Sequence, residues 1–519
     1  MRSDKIIIVG GGSSGWMTAS TLIKAYPNKD ISVIESSNIP VSGVGESTLA
    51  KIRYWIKFLE IDDKDFLRYT DGIYKLSIKF TDFYKKGDAF HYPFGNCCVD
   101  GNNSKLNDWW FKKELYPETP NSDYADCNYP IMSLVNNNKM TYESFDGFQF
   151  DKDTSFHFDA IKFGQWLKEN YCLPRGVKYI NEDIVNIDHD ENGIKSINGK
   201  YKADLYIDCS GFKSLLLDKT LNEPFESWED ILPNNSAWAA KVPYKDKEKE
   251  LTPYTNCTAI ENGWVWNIPL WNRVGTGYVY SNKFVDDDTA LQEFKNHLNR
   301  DDIEDLEFKN IKMRTGIHRR LFVKNVVAVG LSAGFIEPLE SNGLFSVHEF
   351  LIQLVRNLRR ERITQWDKDN YTFACKSIFT SFAEFVCLHY ALSNREDTEY
   401  WKMNSDKQWE ESLINLKPKL NSGGFVDAAL RRYELFEFPN NGTGLHAISA
   451  GMNWAPTDIH TLKYYNRIND KEVFNYFKPW VDRLNERKDK WNKNAETYLN
   501  YIDWMKENIY SSSYSDFKL

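Results

Sequence analysis

The first 35 residues combine two short apolar runs with a glycine-rich turn and an amphipathic stretch between them. Residues 6–9 are apolar, a glycine-rich segment follows, and apolar residues then recur at helical spacing until Pro27. Residues 31–34 form a second, mostly apolar run. Short apolar runs bounded by turn residues are typical of buried strands, and an apolar stripe indicates a helix. The pattern predicts a strand, a helix and a second strand.

Residues 74–83 alternate between apolar and polar side chains. Tyr74 and Leu76 fall on one side of the predicted strand, and Lys75 and Lys79 fall on the other. Side chains of a strand point to opposite faces in turn, so this period predicts a half-buried strand whose two lysines share the polar face.

Other stretches indicate how the rest of the chain is organised. Residues 205–207 and 326–329 are short β-rich runs followed by small residues, which is typical of central strands that end at a ligand. Residues 97–156 are polar and rich in Asn and Asp, which indicates a long excursion from the core. Residues 160–171 predict a helix, and helical patterns dominate from residue 357 onward.

Composition and charge narrow the function classes. The chain has 519 residues, 42% hydrophobic residues and a net charge of -9, which predicts a folded protein of several units and argues against nucleic-acid binding. The run at 326–336 is too short to span a membrane, and the apolar start is too short for a signal peptide. The eight cysteines show neither a disulfide frame nor a zinc spacing. We therefore expect a cytoplasmic protein without a metal site or membrane partner.

The turn between the first two predicted strands has the spacing Gly-x-Gly-x-x-Gly, and Glu35 ends the second strand. Such glycines let the backbone approach a pyrophosphate, the following helix offers free N–H groups, and the acid can accept a hydrogen bond from a ribose hydroxyl. This predicts a dinucleotide site and leaves FAD and NAD open. Its residues are Gly10, Gly12, Ser13, Ser14, Gly15 and Glu35.

Two later features favour FAD over NAD. A second glycine-rich loop can press its backbone against a flat ring, and the small residues at 208–211 and 330–332 follow the predicted central strands. A simple NAD domain does not need these additional stretches. The residues assigned to flavin binding here are Gly43, Val44, Gly45, Glu46, Gly330 and Leu331.

Residues 263–269 contain the sequence pattern W-x-W-x-I-P, in addition to the two glycine-rich loops. With this signature, the chain resembles the flavin-dependent halogenases, in particular the tryptophan-halogenase family. Residues 71–75, 157–159, 335–341 and 389–401 follow the family pattern in the same order. The resemblance spans most of the chain and departs between about residues 405 and 454, where the family's residues that bind the amino-acid group have no match.

The resemblance implies an α/β fold: an FAD-binding Rossmann-like module of the two-dinucleotide-binding, monooxygenase-like type, with a mixed β-sheet and a helical C-terminal part. The expected FAD-binding module comprises residues 1–100, about 157–220 and 310–360. A substrate-side sheet with excursions is expected at about 101–156 and 221–309. A helical region at about 361–519 is expected to cover the substrate site.

The activity implied by the resemblance is halogenation by hypohalous acid, formed from a bound halide with reduced FAD and O2. A separate NAD(P)H-dependent flavin reductase is implied as the source of reduced flavin, because no second dinucleotide motif occurs. By motif position, Lys75 would hold or activate the oxidant, and Lys79 is the competing candidate. Glu340 would act as the general base towards a small aromatic substrate, whereas Glu337 would be structural.

Further site residues follow from the same resemblance. The halide would bind the backbone N–H groups of Asn342 and Gly343. Because the family usually has threonine at the first of these positions, we expect bromide or iodide to be favoured over chloride. Trp264 and Trp266 would separate the flavin from the substrate. The substrate-binding residues would be Tyr92, Pro93, Phe94 and Ser341.

The departure at 405–454 favours an aromatic substrate other than free tryptophan. Two alternatives stay open from the sequence: an FAD-dependent aromatic monooxygenase, which delivers oxygen beside the flavin, and a flavin-binding protein without turnover. Lys75, Glu340 and the tryptophan signature argue against both. Family members often associate, so a homo-oligomer is a further possibility.

Overall fold

The chain folds around two large sheets, one of six strands and one of seven, as seen in a computed structural model. The structure describes residues 1–39, 46–97, 108–407, 443–455 and 471–511. The strands of these residues are, in chain order, β1 (Lys5–Val9), β2 (Asp30–Glu35), β3 (Glu46–Ser47), β4 (Ile73–Lys75), β5 (Ser77–Thr81), β6 (Ala89–Pro93), β7 (Lys139–Met140), β8 (Ser155–Phe158), β9 (Lys178–Asn181), β10 (Ile187–Asp190), β11 (Gly193–Ile197), β12 (Leu205–Asp208), β13 (Phe225–Ser227), β14 (Ser236–Val242), β15 (Tyr254–Ile260), β16 (Gly263–Pro269), β17 (Val274–Tyr280), β18 (Phe308–Lys312), β19 (Gly316–His318), β20 (Phe322–Val323), β21 (Val326–Ala328), β22 (Gly334–Phe335) and β23 (Leu499–Asn500).

The α-helices of the same residues are, in chain order, α1 (Ser13–Ala25), α2 (Ile52–Leu59), α3 (Asp63–Tyr69), α4 (Asp108–Leu115), α5 (Asp123–Asn128), α6 (Ile131–Asn136), α7 (Phe150–Asp153), α8 (Ala160–Trp166), α9 (Lys247–Glu250), α10 (Asp287–Leu298), α11 (Gly343–Asn357), α12 (Gln365–Ala391), α13 (Glu399–Lys407), α14 (Thr443–Gly451), α15 (Lys471–Ala495) and α16 (Tyr501–Asn508). No helix in these ranges is long and apolar enough to cross a membrane.

The six-stranded sheet has the order β20-β21-β12-β1-β2-β9, and its strands are parallel apart from the β20–β21 pair. Ile6, Ile7 and Ile8 of β1 are buried at its centre. The N-terminal strand-helix-strand unit is confirmed, as are the strands predicted at 205–207 and 326–329. Because β1, β12 and β21 lie side by side, the residues that follow these strands meet at one edge of the sheet.

The seven-stranded sheet has the order β18-β14-β17-β16-β15-β5-β6 and is antiparallel apart from β5–β15. Its strands β5 and β6 come from the first 100 residues. Pairing of β5 with β15, with Ser77 opposite Tyr254, places residues 77–93 in this second sheet. The division of the chain at residue 100 stays a prediction.

The prediction of one continuous strand at 74–83 is wrong, because the strand is interrupted. β4 pairs with β8, whereas β5 pairs with β15, and Leu76 lies between them, its N–H donating to the carbonyl of Pro253 at 2.7 Å. Lys75 is fully buried and Lys79 is half-buried. β4 belongs to a three-stranded sheet with the order β3-β8-β4, so Lys75 lies where this small sheet meets the seven-stranded sheet. The two lysines consequently do not share a solvent-exposed face.

From residue 361 onward, the described residues are helical, as predicted, apart from connecting turns and the two residues of β23. Trp491 of α15 and Trp504 of α16 are buried, whereas Trp480 is half-buried. α14 packs on β6, where a Cβ at Gly444 would lie 2.7 Å from the hydroxyl of Tyr92. In the segment predicted as an excursion, the described residues from 108 onward form α4 to α7, with β7 between α6 and α7, and end at the start of β8. Asp123 of α5 pairs with Lys488 of α15 at 2.5 Å.

Candidate active site

The glycine-rich turn after β1 is shaped by backbone that approaches it from β12. Gly10 has φ +108°, a left-handed conformation that favours glycine, and a Cβ there would collide with the carbonyl of Cys209. A Cβ at Gly15 would collide with the carbonyl of Gly10. Gly12 precedes α1, and no side chain caps the helix. The N-terminal N–H groups of α1 are thus available to an anionic group.

The other predicted flavin-binding residues surround this turn. Gly330, with φ +75°, lies against Ser14, because a Cβ there would be 2.9 Å from that of Ser14. Glu35 lies beside Gly11, and its carboxylate is 3.3 Å from the Nζ atom of Lys168. Ser13 donates to the carbonyl of Ala160, and Leu331 is exposed. A tight turn, an open helix N-terminus and an acid at the end of β2 fit a dinucleotide.

The second glycine-rich loop, at residues 43–46, is only partly included in the described residues. Gly43, Val44 and Gly45 lie outside the described residues. Glu46 is described, and burial raises the pKa of its carboxyl group to about 7.

Gly10→Ala should abolish flavin binding and lower the melting temperature, because the new methyl group meets backbone from a neighbouring strand and the φ angle is unfavourable. Flavin fluorescence quenching and thermal unfolding would measure the two effects. Gly87→Ala is the matched control, since Gly87 also has a positive φ, +90°, but has no heavy atom within 4 Å of the added Cβ. Equal losses in both variants would mean that backbone strain alone explains the effect.

Lys75 lies in a closed polar pocket next to an aromatic ring. Its Nζ atom donates to the Oγ of Ser341 at 2.8 Å and to the carbonyl of Thr48 at 3.2 Å. The same atom lies 4.9 Å from the centre of the Phe94 ring. Burial lowers the pKa of the Lys75 ammonium to about 7, although the carboxylate of Glu340 opposes this shift. Near neutral pH both the ammonium and the free amine are therefore populated.

Glu340 is buried opposite a histidine. Its Oε1 atom lies 2.6 Å from Nε2 of His389, and the Nδ1 atom of that ring donates to the carbonyl of Phe385 at 3.0 Å. The contact is short, but its geometry is not aligned for a hydrogen bond. Burial raises the pKa of Glu340, while His389 and Lys75 pull it down. His389 thus lies directly against the carboxyl group of Glu340 in the buried site.

The two tryptophans of β16 lie side by side in the core. Their ring centres are 6.2 Å apart, and both are buried. The Nε1 atom of Trp264 donates to Oε2 of Glu337 at 2.7 Å, which also accepts from the hydroxyl of Tyr390 at 2.7 Å. The Nε1 atom of Trp266 is buried without a hydrogen-bond partner among the described residues. Glu337 thus fixes the orientation of Trp264.

The predicted substrate-binding residues Tyr92, Pro93 and Phe94 lie at the end of β6 and directly after it, and only Phe94 reaches Lys75. Phe94 lies below its ammonium group, as described. Tyr92 is buried between Phe94 and Phe385, with ring centres 6.1 and 6.0 Å away. Pro93 pairs with Ser77 across the sheet. The competing lysine, Lys79, lies over the ring of Tyr254 instead.

Ser341, Asn342 and Gly343 form the start of α11. Ser341 has φ +58°, and Asn342 precedes the helix without capping it through its side chain. A Cβ at Gly343 would meet only Oε2 of Glu46, at 3.5 Å. The helix N-terminus favours an anion, and the raised pKa of Glu46 reduces the repulsion that its carboxyl group would exert on one.

Sequence reasoning missed several polar residues of this region. Ser47, Thr48 and Thr255 carry no motif signal by themselves, although Ser47 follows the glycine-rich loop. His157 and His389 were recognised within family motifs, but no role was assigned to them. Within the described ranges no group of three or more His, Cys, Asp or Glu side chains is arranged to hold a metal ion.

Comparison with known proteins identifies the family. The family model described as tryptophan halogenase matches residues 5–463. This chain belongs to the tryptophan halogenase family. Tryptophan 6-halogenase SttH of Streptomyces toxytricini is 34% identical over 439 residues, covering 79% of this chain and 82% of SttH. Tryptophan 7-halogenase RebH of Lentzea aerocolonigenes is 31% identical over 487 residues, covering 88% and 90%.

Several solved structures have the same fold. That of Tar14, described as a tryptophan C-6 flavin-dependent halogenase from taromycin biosynthesis, superposes with a TM-score of 0.82 at 30% identity, covering 97% of this chain and 99% of Tar14. The apo structure of VirX1 superposes with a TM-score of 0.87 at 35% identity, covering 98% of this chain and 100% of VirX1. The α/β, FAD-binding Rossmann-like fold class is thereby confirmed. As a member of the tryptophan halogenase family, the protein is a flavin-dependent halogenase. Enzymes of this family use FAD, a halide and O2, with a separate flavin reductase and an aromatic substrate.

Proposed function

We propose that this halogenase transfers bromine or iodine from hypohalous acid to an electron-rich aromatic or heteroaromatic small molecule other than free tryptophan. The observation that carries the proposal is the buried Lys75, with its Nζ atom held by two hydrogen bonds beside the ring of Phe94. A solvated lysine of ordinary pKa would be fully protonated at neutral pH. This one has both a donor form and a nucleophilic form available.

Lys75 is the group proposed to receive the oxidant. As the ammonium it donates a hydrogen bond to the oxygen of hypohalous acid and polarises the bond between oxygen and halogen. As the amine it attacks the halogen through its lone pair, and the released hydroxide takes up the displaced proton to form water. In both cases the two fixed hydrogen bonds direct the remaining position of Nζ away from Ser341 and Thr48.

Glu340 is the proposed general base. Attack of an aromatic ring on the halogen produces a cation that must lose a proton from the same carbon. A buried carboxylate nearby both stabilises that cation and accepts the proton, an effect of about 10²–10⁴-fold in rate. His389 supports this role because its Nε2 atom lies 2.6 Å from the carboxylate.

Bound FAD, when reduced, supplies with O2 the two-electron oxidation that converts the halide to hypohalous acid. The residues proposed to hold it are Ser13 and Ser14 at the start of α1, with Glu35 and Gly330 beside them. Trp264 and Trp266 are proposed to separate it from the aromatic substrate, so that oxygen is not delivered directly to the substrate. Reduced flavin would come from a separate NAD(P)H-dependent reductase.

The proposed substrate class depends on the part of the sequence that departs from the family. The stretches at 422–425 and 435–442, which lie outside the described residues, replace the residues expected to clasp an amino-acid group. The relatives SttH and RebH are named as tryptophan halogenases. We infer for this chain a broader aromatic substrate without that group.

Bromide and iodide are expected to be incorporated in preference to chloride. They are less strongly hydrated than chloride, so they lose less hydration energy on binding to the backbone N–H groups of Asn342 and Gly343, and they are more easily oxidised. Competition between equal halide concentrations, read by mass spectrometry, would measure the preference. Asn342→Thr should shift the product ratio towards chloride by up to about tenfold, the free energy of one hydrogen bond. An unchanged ratio would mean that Asn342 does not set halide choice.

The decisive assay combines purified protein, FAD, NADH and a flavin reductase with a panel of electron-rich aromatics and free tryptophan. Each halide is supplied separately, and samples without the enzyme control for free hypohalous acid. Halogenated non-tryptophan products would support the proposal. Preferential halogenation of free tryptophan would overturn the substrate class, and oxygen insertion would favour a monooxygenase.

A further inference from the structure

A continuous line of hydrogen bonds leads from Lys75 to a buried histidine. Beyond Ser341, the Oγ of Ser47 lies 3.0 Å away, followed by Oγ1 of Thr255 at 2.6 Å and Nε2 of His157 at 2.8 Å. The other ring nitrogen of His157 lies 3.0 Å from the carbonyl of Pro269. We call Lys75, Ser341, Ser47, Thr255 and His157 the Lys75 hydrogen-bond chain.

Every member of the Lys75 hydrogen-bond chain is buried. Water therefore does not offer these groups alternative partners, and an unsatisfied hydroxyl here would be costly. The five residues come from β3, β4, β8, β15 and the turn before α11. The Lys75 hydrogen-bond chain thus connects the three-stranded sheet β3-β8-β4 and the seven-stranded sheet to the turn before α11, where the halide is proposed to bind.

The direction of each hydrogen bond follows from the carbonyl of Pro269. A carbonyl oxygen can only accept, so Nδ1 of His157 carries the hydrogen. Burial and the charge of Lys75 hold the pKa of His157 well below its usual value. The ring is therefore neutral, and its Nε2 atom must accept a hydrogen bond.

Each hydroxyl has a single hydrogen, so the remaining directions are fixed in turn. Thr255 donates to His157, Ser47 donates to Thr255, and Ser341 donates to Ser47. The Oγ of Ser341 then has only lone pairs to offer to Lys75. The same holds at Thr48, whose backbone carbonyl can only accept.

We propose that His157 and Thr255 are positioning residues for halogen transfer, which orient Ser341 so that it always accepts a hydrogen bond from Lys75. This inference rests on the proposed function of Lys75. With this orientation, the hydroxyl of Ser341 never donates a hydrogen bond to the lone pair of the Lys75 amine. That lone pair, or the third N–H of the ammonium, stays free for the hypohalous acid.

The Lys75 hydrogen-bond chain also stabilises the ammonium form of Lys75. A hydrogen bond from a charged donor is about twice as strong as one from a neutral donor, so an obligatory acceptor at Ser341 favours the ammonium over the amine. If one hydrogen bond of the Lys75 hydrogen-bond chain is removed, Ser341 becomes free to donate to the amine, and the pKa of Lys75 should fall. The other titratable groups facing Lys75 are Glu340 and Cys257, and burial raises the pKa of that thiol, so it stays neutral.

The test compares Thr255→Val, which removes the hydroxyl at nearly constant volume, with Thr255→Ser, which retains it. Lysine labelled with ¹³C at Cε lets NMR follow the titration of Lys75 directly, and Lys75→Met identifies its signal. Thr255→Val should lower the pKa of Lys75 by about one pH unit and halogenation at neutral pH by about tenfold. Thr255→Ser should restore both to the values of the unmodified enzyme.

A loss of stability alone would not produce this pattern. Thr21→Val is the matched control, because the buried hydroxyl of Thr21 in α1 also makes two hydrogen bonds, to Met17 and from Trp55, outside the site. It should leave the pKa of Lys75 unchanged. An identical pKa of Lys75 in Thr255→Val and the unmodified protein would overturn the inference. Because the NMR titration needs no turnover, it decides this point even if the proposed halogenation is not observed.

Discussion

Replacing Lys75 with methionine should reduce halogenation by roughly 10³-fold or more while leaving FAD binding unchanged. Methionine fills the space of the lysine side chain, so the pocket below Ser341 and beside Phe94 stays closed. The variant has neither a donor for the oxygen of hypohalous acid nor a nucleophile for the halogen. Product formation would be measured by mass spectrometry, and FAD affinity by fluorescence.

The same substitution should stabilise the fold. The pKa of Lys75 is about 7 in the folded protein, below the 10.5 of a solvated lysine in the unfolded chain. Between these values unfolding takes up a proton, so the stability of the unmodified enzyme should rise with pH by about 1.4 kcal/mol per unit. Lys75→Met should lack this rise and exceed the parent in stability at pH 7. Denaturant unfolding at several pH values would measure it.

Lys79→Met is the control for Lys75→Met. Lys79 is half-buried over Tyr254, on a different strand from Lys75. Halogenation should survive in this variant. Loss of activity in Lys79→Met with activity retained in Lys75→Met would assign the oxidant to Lys79.

Glu340→Gln should lower kcat for halogenation by about 10²-fold or more, because the amide cannot accept the proton of the ring cation. The amide also removes the negative charge that raises the pKa of Lys75, so this pKa should fall below 7. The pH at which the rate responds to the titration of Lys75 should move to lower pH accordingly. Steady-state rates between pH 5.5 and 9 would measure both effects.

A second buried glutamate provides the matched control for Glu340→Gln. Glu349 of α11 lies 3.2 Å from His348 and 3.4 Å from Lys51, and it has no contact with Lys75. Glu349→Gln should leave the rate and its pH profile unchanged. If both variants lost activity equally, the role of Glu340 would be structural.

The elements that sequence predicted well depend on local patterns. The β1-α1-β2 unit was recognisable because apolar runs, glycine spacing and Pro27 are all short-range signals. The interruption at Leu76 was not, since it depends on the carbonyl of Pro253, far away in the chain. The alternation at residues 74–83 predicted a half-buried strand. The strands that pair with this stretch, β8 and β15, lie far away in the sequence, so the burial of Lys75 could not be predicted.

The candidate site was predictable only as far as motifs reach. Lys75 and Glu340 were assigned by their place in a family pattern, and the structure brings Lys75 together with Ser341 and Phe94. The roles of His157 and Thr255 could not be assigned, because a histidine's function depends on which carbonyl and hydroxyl it meets. Their partners are Pro269 and Ser47, which no sequence spacing connects to them.

The long-range contacts at Lys75 also have a consequence for folding. Its hydrogen-bond chain joins positions 266, 294 and 208 residues apart, and such contacts form late because a large loop must close first. In a nascent polypeptide whose three-stranded and seven-stranded sheets have not yet docked, Lys75 is an ordinary solvated lysine, protonated at neutral pH. Before these contacts form, Lys75 therefore carries almost no free amine, and the side chain gains its reactive form only when its buried surroundings are assembled.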